Sequence, residues 1–204
     1  IHHPEYDLRS STMDQVVKRG KADMVVPLLK SSDPRLRQAG LLALTGMFKG
    51  RPLPRESVTP EMDQLVVKIL NDPNESWWGS LHAIEALGRT TPELVAQNRE
   101  RLLEFLEYDC TWVQTAAVCT LAQICTQPEH YKTLLPVLVK KATSFRVDSA
   151  SSRSARAIAD AMKAASPQVK AFADPLLKEA FTSLPDVVRE PVTNAALGGA
   201  GNTI

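Results

Sequence analysis

Apolar residues recur at helical spacing along most of the chain, and the clearest example runs from Ser76 to Arg89. Within it Trp77, Leu81 and Ile84 follow one another at intervals of three or four residues, which places them on one face of a helix. Gly88, followed by threonines and a proline, indicates where that helix ends. We therefore predict a helix that buries Trp77 and its apolar neighbours.

Four other stretches repeat this pattern, and each is preceded by an aspartate in a turn. Asp33 followed by Pro34 is the strongest start signal, because aspartate caps helix N-termini and proline suits the first helical position. The alternating β-branched runs typical of strands do not occur between these turns. The predicted helices cover residues 12–30, 34–49, 60–70, 77–88, 92–106, 111–125 and 149–165, with others beginning near residues 128, 167 and 186.

The turn aspartates recur at a nearly constant interval. Their successive spacings are 39, 37, 39 and 38 residues. A small residue followed by an aliphatic one recurs at a similar interval in the second helix of each pair. A fixed period with two helices per unit indicates repeated helical hairpins, which bury a continuous core only by stacking on one another. The aspartates concerned are Asp33, Asp72, Asp109, Asp148 and Asp186.

Residues 33–39 (DPRLRQA), followed by Ala43 and Leu44, resemble the second helix of the HEAT-repeat family. Later units keep the aspartate but mostly lose the arginine of that family's Asp–Arg ladder. The resemblance implies an all-α fold, an α-α superhelix (solenoid) of about five HEAT-like helical hairpins, with the second helices lining a concave binding face. We expect a lead-in at 1–11, one repeat domain at 12–197 and a flexible tail at 198–204.

Composition narrows the classes of function. A hydrophobic fraction of 44% and a charged fraction of 23% are typical of a folded protein, and the net charge of +1 argues against a dedicated nucleic-acid binder. Three cysteines cannot all pair, and we interpret them as buried apolar residues. We expect no cofactor, metal or membrane span. The chain begins with Ile1, so we expect part of a larger protein, with the cytoplasm slightly favoured.

Residues 76–82 (SWWGSLH) also resemble a motif of the bacterial HEAT-like alkylpurine DNA glycosylases. In that family Ser-Trp-Trp-Asp precedes a catalytic aspartate, and aromatic side chains stack on the DNA. In this chain His82 stands in place of that aspartate. Gln114 stands at or near the position of an arginine of that family, and Ala159 stands at or near the position of a tryptophan. The resemblance therefore implies a nucleic-acid-binding relative with a degenerate active site.

Our interpretation is a non-catalytic module that binds or scaffolds a protein or peptide, with DNA as the alternative partner. Trp78 and Trp112 begin neighbouring second helices, where they either form an exposed aromatic pair or pack between repeats. The arginines of the fourth helical pair either belong to a solvated charged face or bind the phosphate groups of a nucleic acid. The predicted contact residues are Trp78, His82, Trp112, Gln114, Arg153 and Arg156.

Overall fold

The computed structural model describes residues 22–46 and 52–182, and these residues form an all-α fold without strands. The chain divides into two compact units between Thr91 and Pro92, and each unit is described separately below. In the first unit the α-helices are α1 (Val25–Leu29), α2 (Pro34–Thr45), α3 (Pro60–Leu70) and α4 (Trp77–Leu87). In the second unit they are α5 (Pro92–Gln97), α6 (Arg99–Phe105), α7 (Thr111–Leu121), α8 (Tyr131–Ser144), α9 (Asp148–Lys163) and α10 (Pro167–Thr182).

The first unit consists of two helical pairs laid side by side. Helix α2 packs against α1 and α4, and α3 packs against α4 and α1. Helices α1 and α2 approach closely at Gly40, where a Cβ atom would lie 2.9 Å from Cδ2 of Leu29. Because α4 is covered on two sides, nearly all of its residues from Gly79 to Leu87 are buried.

The second unit repeats this order of packing. Helix α7 packs against α6, α8 and α9, while α8 packs against α9 and α10. Helices α7 and α9 both carry small buried residues, and small side chains allow packed backbones to come close. Successive helices pair as the predicted hairpins do. The arrangement as a HEAT-like solenoid and the prediction of one repeat domain over residues 12–197 stay predictions. The small residues are Ala116, Ala117, Ala150, Ser151, Ser154 and Ala155.

Helix starts agree with the sequence prediction where a proline follows a capping residue. Asp33 accepts a hydrogen bond from the backbone N–H of Arg35 at the start of α2, and Thr59 accepts one from Met62 N–H at the start of α3. The repeated aspartates, however, do not share one role. Asp72 accepts a hydrogen bond from Asn74 N–H inside a turn, and the N-cap of α4 is Ser76.

Two predicted helices end earlier than expected, and one is broken. Helix α2 ends at Thr45, because Gly46 adopts a left-handed conformation (φ 75°) and closes the helix. Helix α7 ends at Leu121 rather than at residue 125. The helix predicted over 92–106 is divided at Asn98, which leaves the helical region and donates its side-chain amide to the carbonyl of Leu94.

Several predictions fall on residues outside the described ranges. They are the lead-in at 1–11, the start of the first helix at Thr12, the end of the second helix near Lys49, the short helix after Asp186 and the tail at 198–204.

Candidate functional site

Trp112 is the most exposed tryptophan among the described residues. It lies in the first turn of α7 with 45% of its surface exposed. The helix begins after Cys110, whose extended backbone (φ −158°, ψ 115°) leads the chain into the first turn. Thr115 and Ala116, three and four residues after Trp112, are 0% and 1% exposed, so the exposure of Trp112 comes from its position in the first turn of α7.

Arg153 and Arg156 lie on the exposed side of α9. The opposite side of this helix is packed against its neighbours through Ala150, Ala155 and Ile158. Spacings of three and four residues place five of the exposed side chains of α9 on one stripe along the helix, and Asp148, the first residue of α9, is exposed as well. The stripe consists of Ser149, Arg153, Arg156, Asp160 and Lys163.

One contact between α7 and α9 joins the helix that carries Trp112 to the helix that carries the two arginines. The Cys119 thiol lies 3.8 Å from the backbone carbonyl of Arg153 and donates to it. Cys119 is two turns after Trp112 on the same side of α7, since the two are seven residues apart. We call the group formed by Trp112, Cys119, Arg153 and Arg156 the α7–α9 surface.

Gln114 was predicted to contact the partner, but its side chain is engaged within the chain. Its amide nitrogen donates a hydrogen bond of 2.7 Å to the backbone carbonyl of Tyr108. This bond ties the first turns of α7 to the preceding turn. Gln114 is half-buried and lies on a different side of α7 from Trp112, so it is not part of the α7–α9 surface.

In the first unit, Trp77, Trp78 and His82 form an aromatic stack that runs inward from the surface. The ring centroids of Trp77 and Trp78 are 4.7 Å apart, and those of Trp78 and His82 are 5.3 Å apart. His82 Nδ1 lies 3.2 Å from a carboxylate oxygen of Glu85, one turn later on α4. Trp78, a predicted contact residue, lies in the middle of this stack.

Two predictions about this stack are wrong. Trp77 was expected in the core but is 39% exposed, and His82 was expected at the binding face but is only 1% exposed. The reason is that α4 is covered on two sides from Gly79 onward, whereas its first turn projects beyond these neighbours. A residue's position along α4 therefore decides its burial more than the face on which it lies.

A buried ion pair joins the starts of α2 and α4. The Arg37 Nε donates a hydrogen bond of 2.8 Å to one Glu75 carboxylate oxygen, and a terminal guanidinium nitrogen lies 2.8 Å from the same oxygen. Only 1% of the Glu75 side chain is exposed. Arg37 also donates to the carbonyls of Ser31 and Ser32, both at 3.0 Å. The other Glu75 oxygen accepts from the backbone N–H of Ser76 at 2.9 Å. This cluster fixes the two helix starts relative to each other.

The first unit also has an open cavity of about 380 Å³ between α1, α2 and α3. Two of its three cationic groups already have partners, because Lys30 pairs with Glu61 at 2.5 Å and Arg37 pairs with Glu75. The cavity therefore has little unbalanced charge with which to select a ligand. Its lining residues are Leu29, Lys30, Ser31, Arg37, Leu65, Lys68, Ile69 and Asp72.

Two titratable side chains of the described residues have pKa values that their surroundings raise. Burial raises the pKa of the Cys125 thiol to about 12, so this side chain is protonated at neutral pH. Cys110, Cys119 and Cys125 are free thiols, and only Cys125 is fully buried. Hydrogen bonds from Arg55 to Asp63, at 3.0 and 2.6 Å, raise the pKa of Arg55 and hold the segment before α3.

Within residues 22–46 and 52–182, no three His, Cys, Asp or Glu side chains are grouped so that they could hold a metal ion. No helix in the same part of the chain is both long and apolar enough to cross a membrane. Comparison with protein-family models, with curated proteins and with solved structures finds no match. Function is therefore argued from the surfaces of the two units.

Proposed function

We propose that this chain is a non-catalytic helical-repeat module that binds a protein or peptide, and that the α7–α9 surface of the second unit is its contact site. The observation that carries the proposal is the 45% exposure of Trp112 on α7, a helix that packs against α9 and its exposed Arg153 and Arg156. Tryptophan and arginine are the residues most enriched among those that dominate the binding energy of protein interfaces. A tryptophan with nearly half of its surface exposed is well suited to anchor a partner.

The packing of the second unit supports this role. Helices α7 and α9 present their side chains from closely packed backbones, so the surface is largely fixed before a partner arrives. A preformed surface loses little conformational entropy on binding, which leaves more of the contact energy as affinity. We also propose that the module serves a scaffolding role for its partner.

The test compares capture of partners by three forms of the purified chain. Biotinylated wild type, Trp112→Ala and Val137→Ala serve as bait in an extract of the source organism. Val137 is the matched control, because it is an equally exposed apolar residue (44%) on α8 of the same unit. We expect one or more proteins to bind wild type and Val137→Ala but not Trp112→Ala.

Affinity and stability are then measured with the captured protein. Loss of a central tryptophan from an interface costs about 2 kcal/mol or more, which raises Kd roughly thirtyfold. The Tm of Trp112→Ala should stay near that of the wild type, since the indole is not a core side chain. Equal capture by all three forms would show that Trp112 is not the anchor.

A second candidate is DNA binding by the first unit, as the glycosylase resemblance implies. The exposed Trp77 ring, stacked on Trp78, offers a surface on which a base could stack. Glycosylase chemistry receives no support, because the buried His82 stands where the resemblance requires a catalytic carboxylate. Binding to duplex DNA with and without an abasic site, across a salt series and with Trp77→Ala as the comparison, tests this candidate.

A further inference from the structure

Three aliphatic and five polar side chains line the open cavity of the first unit. Leu29 and Ile69 are almost wholly buried and Leu65 is half-buried, so these three side chains give the cavity an apolar wall. The lining residues from Leu65 to Asp72 recur at helical spacing, which places them on one stripe of α3 and the turn after it. The cavity volume of about 380 Å³ lies within the range of sites that bind small molecules.

Lys68 and Asp72 are the charged groups of the lining that remain for a ligand. Lys30 and Arg37 are already paired with glutamates. Lys68 is exposed, and its ammonium group forms no ion pair or hydrogen bond with any residue of 22–46 and 52–182. Asp72 accepts one hydrogen bond, from the backbone N–H of Asn74 at 2.9 Å, and forms no ion pair within the same ranges. The cavity therefore offers a ligand one cation and one anion.

These two groups are close enough for one small molecule to contact both. They are four residues apart, which is about 6 Å along α3 at a rise of about 1.5 Å per residue. Asp72 comes just after the C-terminal end of α3, where the unpaired backbone carbonyls of a helix favour a positive charge. A cationic group of the ligand therefore belongs at Asp72, and an anionic group belongs at Lys68.

A ligand with only one charge fits this cavity poorly. A simple carboxylate would pair with Lys68 but would also face Asp72, and like charges brought together weaken binding. A simple amine would face Lys68 in the same way. A residue inside a peptide chain has neither an α-ammonium group nor an α-carboxylate, so it would leave both Lys68 and Asp72 unpaired. The arrangement therefore selects a zwitterion that also has an apolar part.

We propose that this cavity binds a free amino acid with an aliphatic side chain. The α-carboxylate pairs with Lys68 and the α-ammonium group pairs with Asp72, through charge-assisted hydrogen bonds. The aliphatic side chain packs on the apolar wall of Leu29, Leu65 and Ile69. Such a ligand has no net charge at neutral pH, which matches a lining whose other cations are already paired. The site lies in the first unit, so this inference does not rest on the α7–α9 surface.

The experiment measures binding of L-leucine to the intact 204-residue chain. Saturation-transfer NMR at millimolar ligand detects weak binding, and calorimetry gives Kd. The comparison ligands are isocaproate, which lacks the ammonium group, and leucinamide, which lacks the carboxylate. The variants are Lys68→Gln, Asp72→Asn and Lys140→Gln, and circular dichroism checks that each is folded. Asp72→Asn keeps an oxygen that can accept from Asn74, and Lys140 is the matched control, an exposed lysine on α8 of the second unit.

We expect wild type and Lys140→Gln to bind leucine with the same Kd. Each comparison ligand should bind wild type about tenfold more weakly, as for the loss of a hydrogen bond between charged groups. Lys68→Gln should weaken leucine binding about tenfold and should bind leucine and leucinamide equally, because the cation that recognises the carboxylate is gone. Asp72→Asn should likewise bind leucine and isocaproate equally.

The comparison of ligands on wild type tests the proposal without any variant. Isocaproate or leucinamide that binds wild type as tightly as leucine would replace the zwitterion with a singly charged ligand. Failure to detect leucine binding, or leucine binding that neither Lys68→Gln nor Asp72→Asn weakens, would overturn the site itself.

Discussion

Gly79 is the residue whose substitution tests the buried cluster most directly. It lies in the first turn of α4, where the Glu75 side chain folds over the helix start. A Cβ atom at this position would lie 2.6 Å from Glu75 Cγ and closer still to its carboxylate. Gly79→Ala therefore forces Glu75 to move, and Glu75 can move only by giving up its geometry with Arg37.

Two opposing effects set the magnitude. Alanine in place of glycine stabilises a helix by up to about 1 kcal/mol. Displacing the carboxylate loses hydrogen bonds to a charged group, worth about 1.5–3 kcal/mol, while Arg37 keeps its carbonyl acceptors at Ser31 and Ser32. We expect Gly79→Ala to lower the free energy of unfolding by about 0.5–2 kcal/mol, which is what remains of the lost hydrogen bonds after the full gain in helix propensity is subtracted.

The sign should reverse when Glu75 is absent. In a Glu75→Ala background the methyl group that Gly79→Ala introduces meets no carboxylate, so only the helix-stabilising effect remains and the substitution should raise stability by up to about 1 kcal/mol. Urea unfolding followed by circular dichroism on the four proteins of this cycle measures the coupling. If Gly79→Ala destabilises both backgrounds equally, the packing of Glu75 against Gly79 does not explain the glycine.

Three further outcomes follow from other contacts. In native protein at pH 8, Cys125 should resist iodoacetamide until urea unfolds the chain, and ready alkylation of the native thiol would contradict its burial. Because the folded pKa of Cys125 is about 12 and exceeds the unfolded value, the stability that this group contributes is lost as pH rises from about 8.5 towards 12. Hydrogen bonds from Arg35 lower the pKa of Asp33, so Asp33→Ala should reduce Tm at pH 7, with the gap closing as acid protonates the wild-type carboxylate; a gap that persists at pH 2 would refute this. Gly46→Ala should lower the free energy of unfolding in urea by about 1–3 kcal/mol, because φ at this residue is 75° and a Cβ atom would lie 2.6 Å from Cδ of Pro52. An unchanged urea midpoint would show that the turn relaxes around the new side chain.

The helices could be predicted from the sequence wherever the local chemistry fixed their starts. Asp33 before Pro34 and Thr59 before Pro60 specify an N-cap and a first helical residue, and α2 and α3 begin there. The end of α2 could not be placed, because the apolar pattern continues beyond Gly46 and only its left-handed backbone stops the helix. Sequence spacing does not report backbone conformation.

The exposure of individual side chains was harder to predict, since it depends on how many neighbours cover a helix. The helical wheel assigned Trp77 to the core and His82 to the outer face of α4, but α4 is covered on two sides beyond its first turn. For α9, Arg153 and Arg156 were predicted as contact residues on a charged face, and both are exposed. Amphipathic patterns therefore predict exposure for a helix with one buried side and fail for a helix enclosed by its neighbours.

The interval near 38 residues has a direct physical counterpart in the first unit. Arg37 bonds to Glu75 and Gln38 bonds to Ser76, and each pair is separated by 38 residues. Residues 38 positions apart in the two helical pairs of the first unit are thus joined by side-chain contacts, as expected when one helical pair packs on the next. Arg37 pairs with Glu75 rather than with the turn aspartate Asp72, because Glu75 lies next to the N-cap of α4 and its carboxylate fits over Gly79. The same glycine that makes room for Glu75 therefore permits the link between the two helical pairs, and this is why its substitution is the sharpest test of how the first unit is held together.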